Sequence, residues 1–134
     1  QCEQKIAAGE EWRTLHEARM RIDREACHIV QPEMGHTGIT EFLRIGRHAE
    51  KYGLTVIPHA TIGSGIFLAA SLQAAASLDC ATDHEYQHSI FGPFRHFTGD
   101  RLRCEEGAFT VLDAPGLGVE PSEAMKKAIT LIPA

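Results

Sequence analysis

The sequence predicts an α/β fold of successive parallel βαβ units. Strand-length apolar stretches alternate with longer amphipathic or Ala-rich segments, and each apolar stretch ends in a short polar signature. Those signatures recur at an interval of about one βα unit. Residues 4–8 are a short strand candidate, and residues 12–26 carry Trp12, Leu15, Ala18, Met20 and Ile22 at helical spacing among Arg and Glu. The unit repeats with a strand at 27–31 (CHIVQ), a polar loop PEMGHTG, and a helix over 39–52 that Gly53 ends as a C′ residue. A third unit follows, with a strand at 54–58 (LTVIP), a Gly-rich loop HATIGSG, and an Ala-rich helix over 66–78, apolar nearly all round as a buried helix is. Strands apolar on both faces belong in a buried parallel sheet with right-handed crossovers. Beyond Glu85 the pattern changes: SIFGPF is loop-like, residues 101–104 and 109–112 read as a hairpin across 105–107, and the turn-rich APGLGVEP precedes a short helix over 122–128.

Composition narrows the function. With 43% hydrophobic and 23% charged residues among 134, the chain is expected to fold rather than stay disordered. Its longest apolar stretch, residues 65–78, is short and broken by Ser71 and Gln73, so no membrane span is expected. The start, QCEQKIAAGEEW, lacks the pattern of a secretory signal, and four scattered cysteines (Cys2, Cys27, Cys80, Cys104) form no CxxC pair. A reducing cytoplasm is the expected location. A net charge of −5 without a Lys/Arg cluster argues against a nucleic-acid partner and for a small molecule.

The strand ends carry the chemistry. Their signatures are Gly9-Glu10, Gln31-Pro32-Glu33, Pro58-His59 and His84-Glu85-Tyr86-Gln87, and Glu10, Glu33, His59 and Glu85 follow one another at 23, 26 and 26 residues. Alone, a Glu after a strand is more often a solvated loop or helix-start residue, and a lone His more often a surface or core group. Four in phase are not explained that way. On neighbouring strands of a parallel barrel they would share the C-terminal rim, where barrel active sites are built. His36, His84 and His88 fall in rim loops, whereas His16 and His48 are expected to be solvated on helix faces and the cysteines to serve packing.

The runs AAGE (7–10), IVQPEMGHTGITEFLRIGRHAEKYGLTVIPH (29–59) and APGLGVEP (114–121) resemble the C-terminal barrel region of the enolase superfamily, in its mandelate-racemase and muconate-lactonizing-like members. The resemblance implies about the last four βα units of a modified (β/α)8 barrel. Residues 1–92 would be its C-terminal half, and 93–134 a final hairpin and tail packing on a capping domain. It further implies a Mg²⁺ held by three carboxylates, of which Glu10 matches the third. His59 matches the catalytic base, Glu33 the acid that orients it (usually Asp, one methylene shorter), and Glu85 the eighth-strand acid. The usual Gly-Gly after the sixth strand is Thr37-Gly38 here. The first two metal ligands, the second-strand Lys motif and most of the cap would precede Gln1, in the same or another chain.

The implied activity is abstraction of the proton α to a carboxylate, through an enediolate. Sugar-acid dehydration is the preferred outcome, because the polar rim (His36, Thr37, Thr61, Ser64, Gln87, His88) suits a hydroxylated substrate, with His36, Gln87 and His88 the expected substrate contacts. Racemisation, epimerisation and lactone cycloisomerisation are the alternatives within the superfamily. Outside it stands a non-catalytic half-barrel or structural subunit. A half barrel exposes two sheet edges, so pairing with a partner or homo-oligomerisation is expected.

Overall fold

A computed structural model describes residues 3–59, 64–88, 92 and 95–129. Three parallel strands, β1 (Ala7–Ala8), β2 (Ile29–Val30) and β3 (Thr55–Val56), lie in the order β1-β2-β3. Ala7 is opposite Ile29, and Ile29 opposite Thr55, in register. A parallel bridge from Val56 to Ala81 adds a fourth extended segment at the β3 side. Helices α1 (Leu15–Ile22), α2 (Met34–Lys51) and α3 (Gly65–Ala75) follow the three strands, as the βαβ reading requires.

The strands are shorter than the apolar stretches suggest, and for β2 and β3 the C-terminal limit is visible in the sequence. Pro32 and Pro58, both fully buried, stand just beyond β2 and β3 and have no N–H to give a ladder. Their carbonyls still accept, Pro32 from the His59 N–H at 3.2 Å and Pro58 from the Glu85 N–H at 3.3 Å. Each proline thus ends its own ladder and fixes the backbone of the next segment's polar residue beside it.

Helix boundaries also differ from the periodicity. Instead of starting near Trp12, α1 starts after Thr14, whose side chain accepts from the Glu17 N–H while the Glu17 carboxylate accepts from the Thr14 N–H, a capping box. Trp12 is buried ahead of the helix. The expected loop PEMGHTG is instead the first turn of α2, with a kink at Gly38 (φ 62°, ψ 175°) before the long helix continues. That backbone region is essentially restricted to glycine. The Thr37 hydroxyl closes the turn by donating to the Glu33 carbonyl at 2.9 Å, so one glycine suffices.

The core has three parts. Ile22, Val30, Ile45 and Val56 fill the space between the sheet and the α1–α2 layer. Met34 and Phe42 of α2 pack on Ala70, Ala74 and Ala75 of α3. Leu102 of the tail packs on Ala69 and Leu72, on the other side of α3. The tail adds a short 3₁₀ helix (Arg95–Thr98), an antiparallel hairpin of β4 (Cys104–Glu105) and β5 (Ala108–Phe109), and helix α4 (Glu123–Ala128). Glu106 (φ 51°) and Gly107 (φ 81°) make its two-residue turn, one residue tighter than the sequence suggests; two positive φ values match the twist of a hairpin. His48 is not solvated as expected: its ring bonds Asp23 at 2.6 Å and its side chain is 14% exposed. Among the described residues no helix is long and apolar enough to cross a membrane.

One glycine bears directly on the strand ends. Gly9, beside Glu10, has φ +136°, and a Cβ there would sit 2.9 Å from the Gln31 backbone nitrogen. Replacing Gly9 by Ala should therefore cost about 1–3 kcal/mol, read as a lowered denaturant midpoint of the intact protein.

Candidate active site

The four strand-end residues singled out by their spacing converge. His59, the residue after Pro58, directs Nδ1 to Glu33 Oε2 at 2.9 Å. Its Nε2 lies 3.6 Å from Glu10 Oε2 and 4.0 Å from Glu85 Oε2. Glu33 is the most enclosed of the three acids, with 10% of its side chain exposed against 54% for Glu10 and 37% for Glu85. The longer acid at position 33 reaches the imidazole without difficulty.

This geometry fixes the imidazole's tautomer. A carboxylate accepts, so Nδ1 carries the hydrogen it gives to Glu33 and the neutral ring keeps its free lone pair on Nε2. Nε2 faces an open cavity of about 590 Å³ lined by Glu10, Glu11, Glu33, Gly35, His36, His59 and Phe67. A general base needs this arrangement: one nitrogen anchored, the other presented to a site large enough for a small ligand.

The surroundings tie these groups to the scaffold. His36 donates from Nδ1 to the Glu10 carbonyl at 3.1 Å, joining the first turn of α2 to the end of β1. Gln31 donates through Nε2 to Glu85 Oε1 at 2.5 Å. Behind Glu85, His84 lies against Ser71 of α3 rather than in the rim opening where its loop position suggested. Burial pushes the His84 imidazole below its ordinary pKa, opposed by its hydrogen bond to the Glu85 carbonyl and by the Glu85 charge. Burial pushes the Cys27 and Cys80 thiols up, which makes them poor nucleophiles, in keeping with packing roles.

A family model described as enolase C-terminal domain-like matches residues 1–125. The chain belongs to that family. Its α/β architecture is the enolase C-terminal-domain fold, and a crystal structure of an enolase-superfamily member from Agrobacterium tumefaciens superposes with a TM-score of 0.90 at 54% identity, covering 94% of this chain and 32% of that one. The D-galactonate dehydratase of Xanthomonas euvesicatoria pv. vesicatoria is 31% identical over 134 residues, 91% of this chain and 34% of the relative. The D-galactarolactone cycloisomerase of Agrobacterium fabrum is 28% identical over 127 residues, 86% of this chain and 32% of the relative. This enolase-family chain thus spans about a third of the length of the curated relatives it matches.

Of the expected substrate contacts, His36 lines the cavity, whereas Gln87 and His88 are exposed and outside its lining. Thr61, expected in the polar rim, and Cys2 lie outside the described residues. Sequence reasoning noted Gln31 in its strand-end signature but gave it no role, and passed over Phe67. Gln31 was legible: two residues before Glu33 on extended backbone, it projects on the same side. Phe67 carried no such signal, being one apolar residue in an apolar helix, yet it lies 42% exposed on the cavity wall.

Proposed function

We propose that this chain supplies the base side of an enolase-superfamily active site that removes the proton α to a carboxylate, and that the reaction is dehydration of a sugar acid. The observation that carries the reading is His59, with Nδ1 held by Glu33 at 2.9 Å and Nε2 lying 3.6 Å from Glu10, on the cavity wall, and 4.0 Å from Glu85. His59 Nε2 takes the α proton, and the C–H electron pair moves toward the carboxylate to give an enediolate. The imidazolium formed is stabilised by the Glu33 carboxylate on its other nitrogen. Collapse of the enediolate breaks the Cβ–O bond, the hydroxyl leaves as water with the proton returned by the His59 imidazolium, and the enol product tautomerises to a 2-keto-3-deoxy acid. Glu85 contacts the substrate carboxylate region, and His36, on the cavity wall, contacts its hydroxyls.

Enolase-superfamily enzymes generally use Mg²⁺. Among the described residues no three or more His, Cys, Asp or Glu side chains are arranged to hold a metal ion. The half-exposed Glu10 carboxylate, a hard oxygen donor at a strand end, fits one position of such a site, and the other ligands would come from outside this chain's described residues. When bound, Mg²⁺ would offset negative charge on the substrate carboxylate. The remaining barrel strands and the cap belong to the same proposal, as does the packing of residues 93–134 against that cap.

The likeness to a D-galactonate dehydratase and a D-galactarolactone cycloisomerase supports sugar acids as the substrate class. The test is incubation of the intact enzyme with aldonic and aldaric acids, and with their lactones, at millimolar Mg²⁺. The expected result is a 2-keto-3-deoxy acid from at least one free acid, lost with a chelator and restored by Mg²⁺. Product only from a lactone would turn the reading to cycloisomerisation, and interconversion of stereoisomers without water loss to epimerisation. Metal-independent turnover would sink it altogether.

A further inference from the structure

A part-buried hydrogen-bond chain stands behind Glu85. Ser71, fully buried in the middle of α3, lies 2.8 Å through its Oγ from His84 Nε2, and the other ring nitrogen, Nδ1, is 2.8 Å from the Glu85 carbonyl. A carbonyl only accepts, so Nδ1 carries the hydrogen, and the neutral ring must accept on Nε2 from the serine hydroxyl. Phe109 of β5 closes the third side, edge-on to His84 with ring centroids 5.8 Å apart, and also contacts the Tyr86 ring at 5.8 Å. The Glu85 N–H is held by Pro58 O and its carboxylate by Gln31. The Glu85 N–H is thus bonded to the fully buried Pro58 and its carbonyl to His84, which is itself bonded to the fully buried Ser71.

We infer that His84, clamped between Ser71 and Phe109, is a positioning residue that fixes the Glu85 carboxylate in the active site. A serine in an Ala-rich helix and an imidazole under an aromatic ring are costly to bury unless they satisfy each other. Here they do, and the bond they leave over is spent on the Glu85 peptide. The tail hairpin gains a role from this: β5 presses on this hydrogen-bond chain and so couples residues beyond the barrel-like units to the site. This rests on the proposed reading, in which Glu85 meets the substrate.

The test is a double-mutant cycle in the intact enzyme, with kcat and KM measured on the acid it turns over. Glu85→Gln alone should lower kcat. His84→Phe, which removes both bonds, should lower kcat by about 10- to 100-fold, since a misplacement of about 1 Å can cost that much. His84→Asn keeps a donor near the Nδ1 position and should recover part of the loss. In the Glu85→Gln background, His84→Phe should change kcat by less than about threefold, because the group it positions is gone. Should His84→Phe fail to fold, Ser71→Ala replaces it, with a smaller loss that again vanishes in the Glu85→Gln background. Effects that multiply, or a His84→Phe enzyme with unchanged kcat, overturn the positioning role while leaving the base chemistry untouched. Unchanged kcat in Glu85→Gln overturns both the positioning role and the part of the reading that gives Glu85 to the substrate.

Discussion

His59→Asn should lower kcat of the intact enzyme by about 10²- to 10⁴-fold, the usual contribution of a positioned general base, with KM changing far less. Asn keeps a side-chain donor near Glu33, so the buried carboxylate, only 10% exposed, retains a partner and the fold should hold. What is lost is the Nε2 lone pair between Glu10 and Glu85. Steady-state kinetics with a thermal melt of the same preparation separates the two effects. A rate within tenfold of the parent enzyme at equal stability would remove His59 from the chemistry.

Phe42→Ala should destabilise the protein by about 3–5 kcal/mol. Phe42 is fully buried, and its neighbours in α3 are Ala70, Ala74 and Ala75, side chains too short to swing into the vacated space. The α3 alanines cannot refill the space, and a cavity left behind is what makes large-to-small substitutions expensive. Phe42→Leu, which keeps most of the volume, should cost less than about 1.5 kcal/mol. Met34 shares this cluster and follows Glu33 directly, so the Ala variant should also loosen the Glu33–His59 pair. Denaturant titration reads the first effect, as a lower midpoint with an unchanged slope. A loss below about 1 kcal/mol would mean that the α2–α3 seam repacks freely.

How much of this was legible in the sequence follows from what each signal encodes. The spacing of Glu10, Glu33, His59 and Glu85 reports the repeat of the βα unit, and the structure brings those four side chains together because parallel in-register strands carry equivalent positions to the same end. The C-terminal ends of β2 and β3 were overread, because hydrophobic runs do not record that Pro32 and Pro58 limit the ladders. The helical first turn of α2 was hidden by two glycines and a threonine, residues that read as loop until the Thr37 hydroxyl and the Gly38 kink are seen to make one turn compatible with the next. His84 was misplaced for a different reason. Its position in a rim loop says nothing of orientation, and its partner Ser71, which had looked like a mere interruption of an apolar helix, is 13 residues away.

The central claim is that His59 takes the α proton, and C2-deuterated substrate tests it most directly. With the acid that the intact enzyme turns over, release of deuterium to solvent should accompany turnover, and His59→Asn should slow it by at least about 100-fold while the variant still binds the acid. Deuterium release at the parent rate from His59→Asn would contradict the claim, whatever the product.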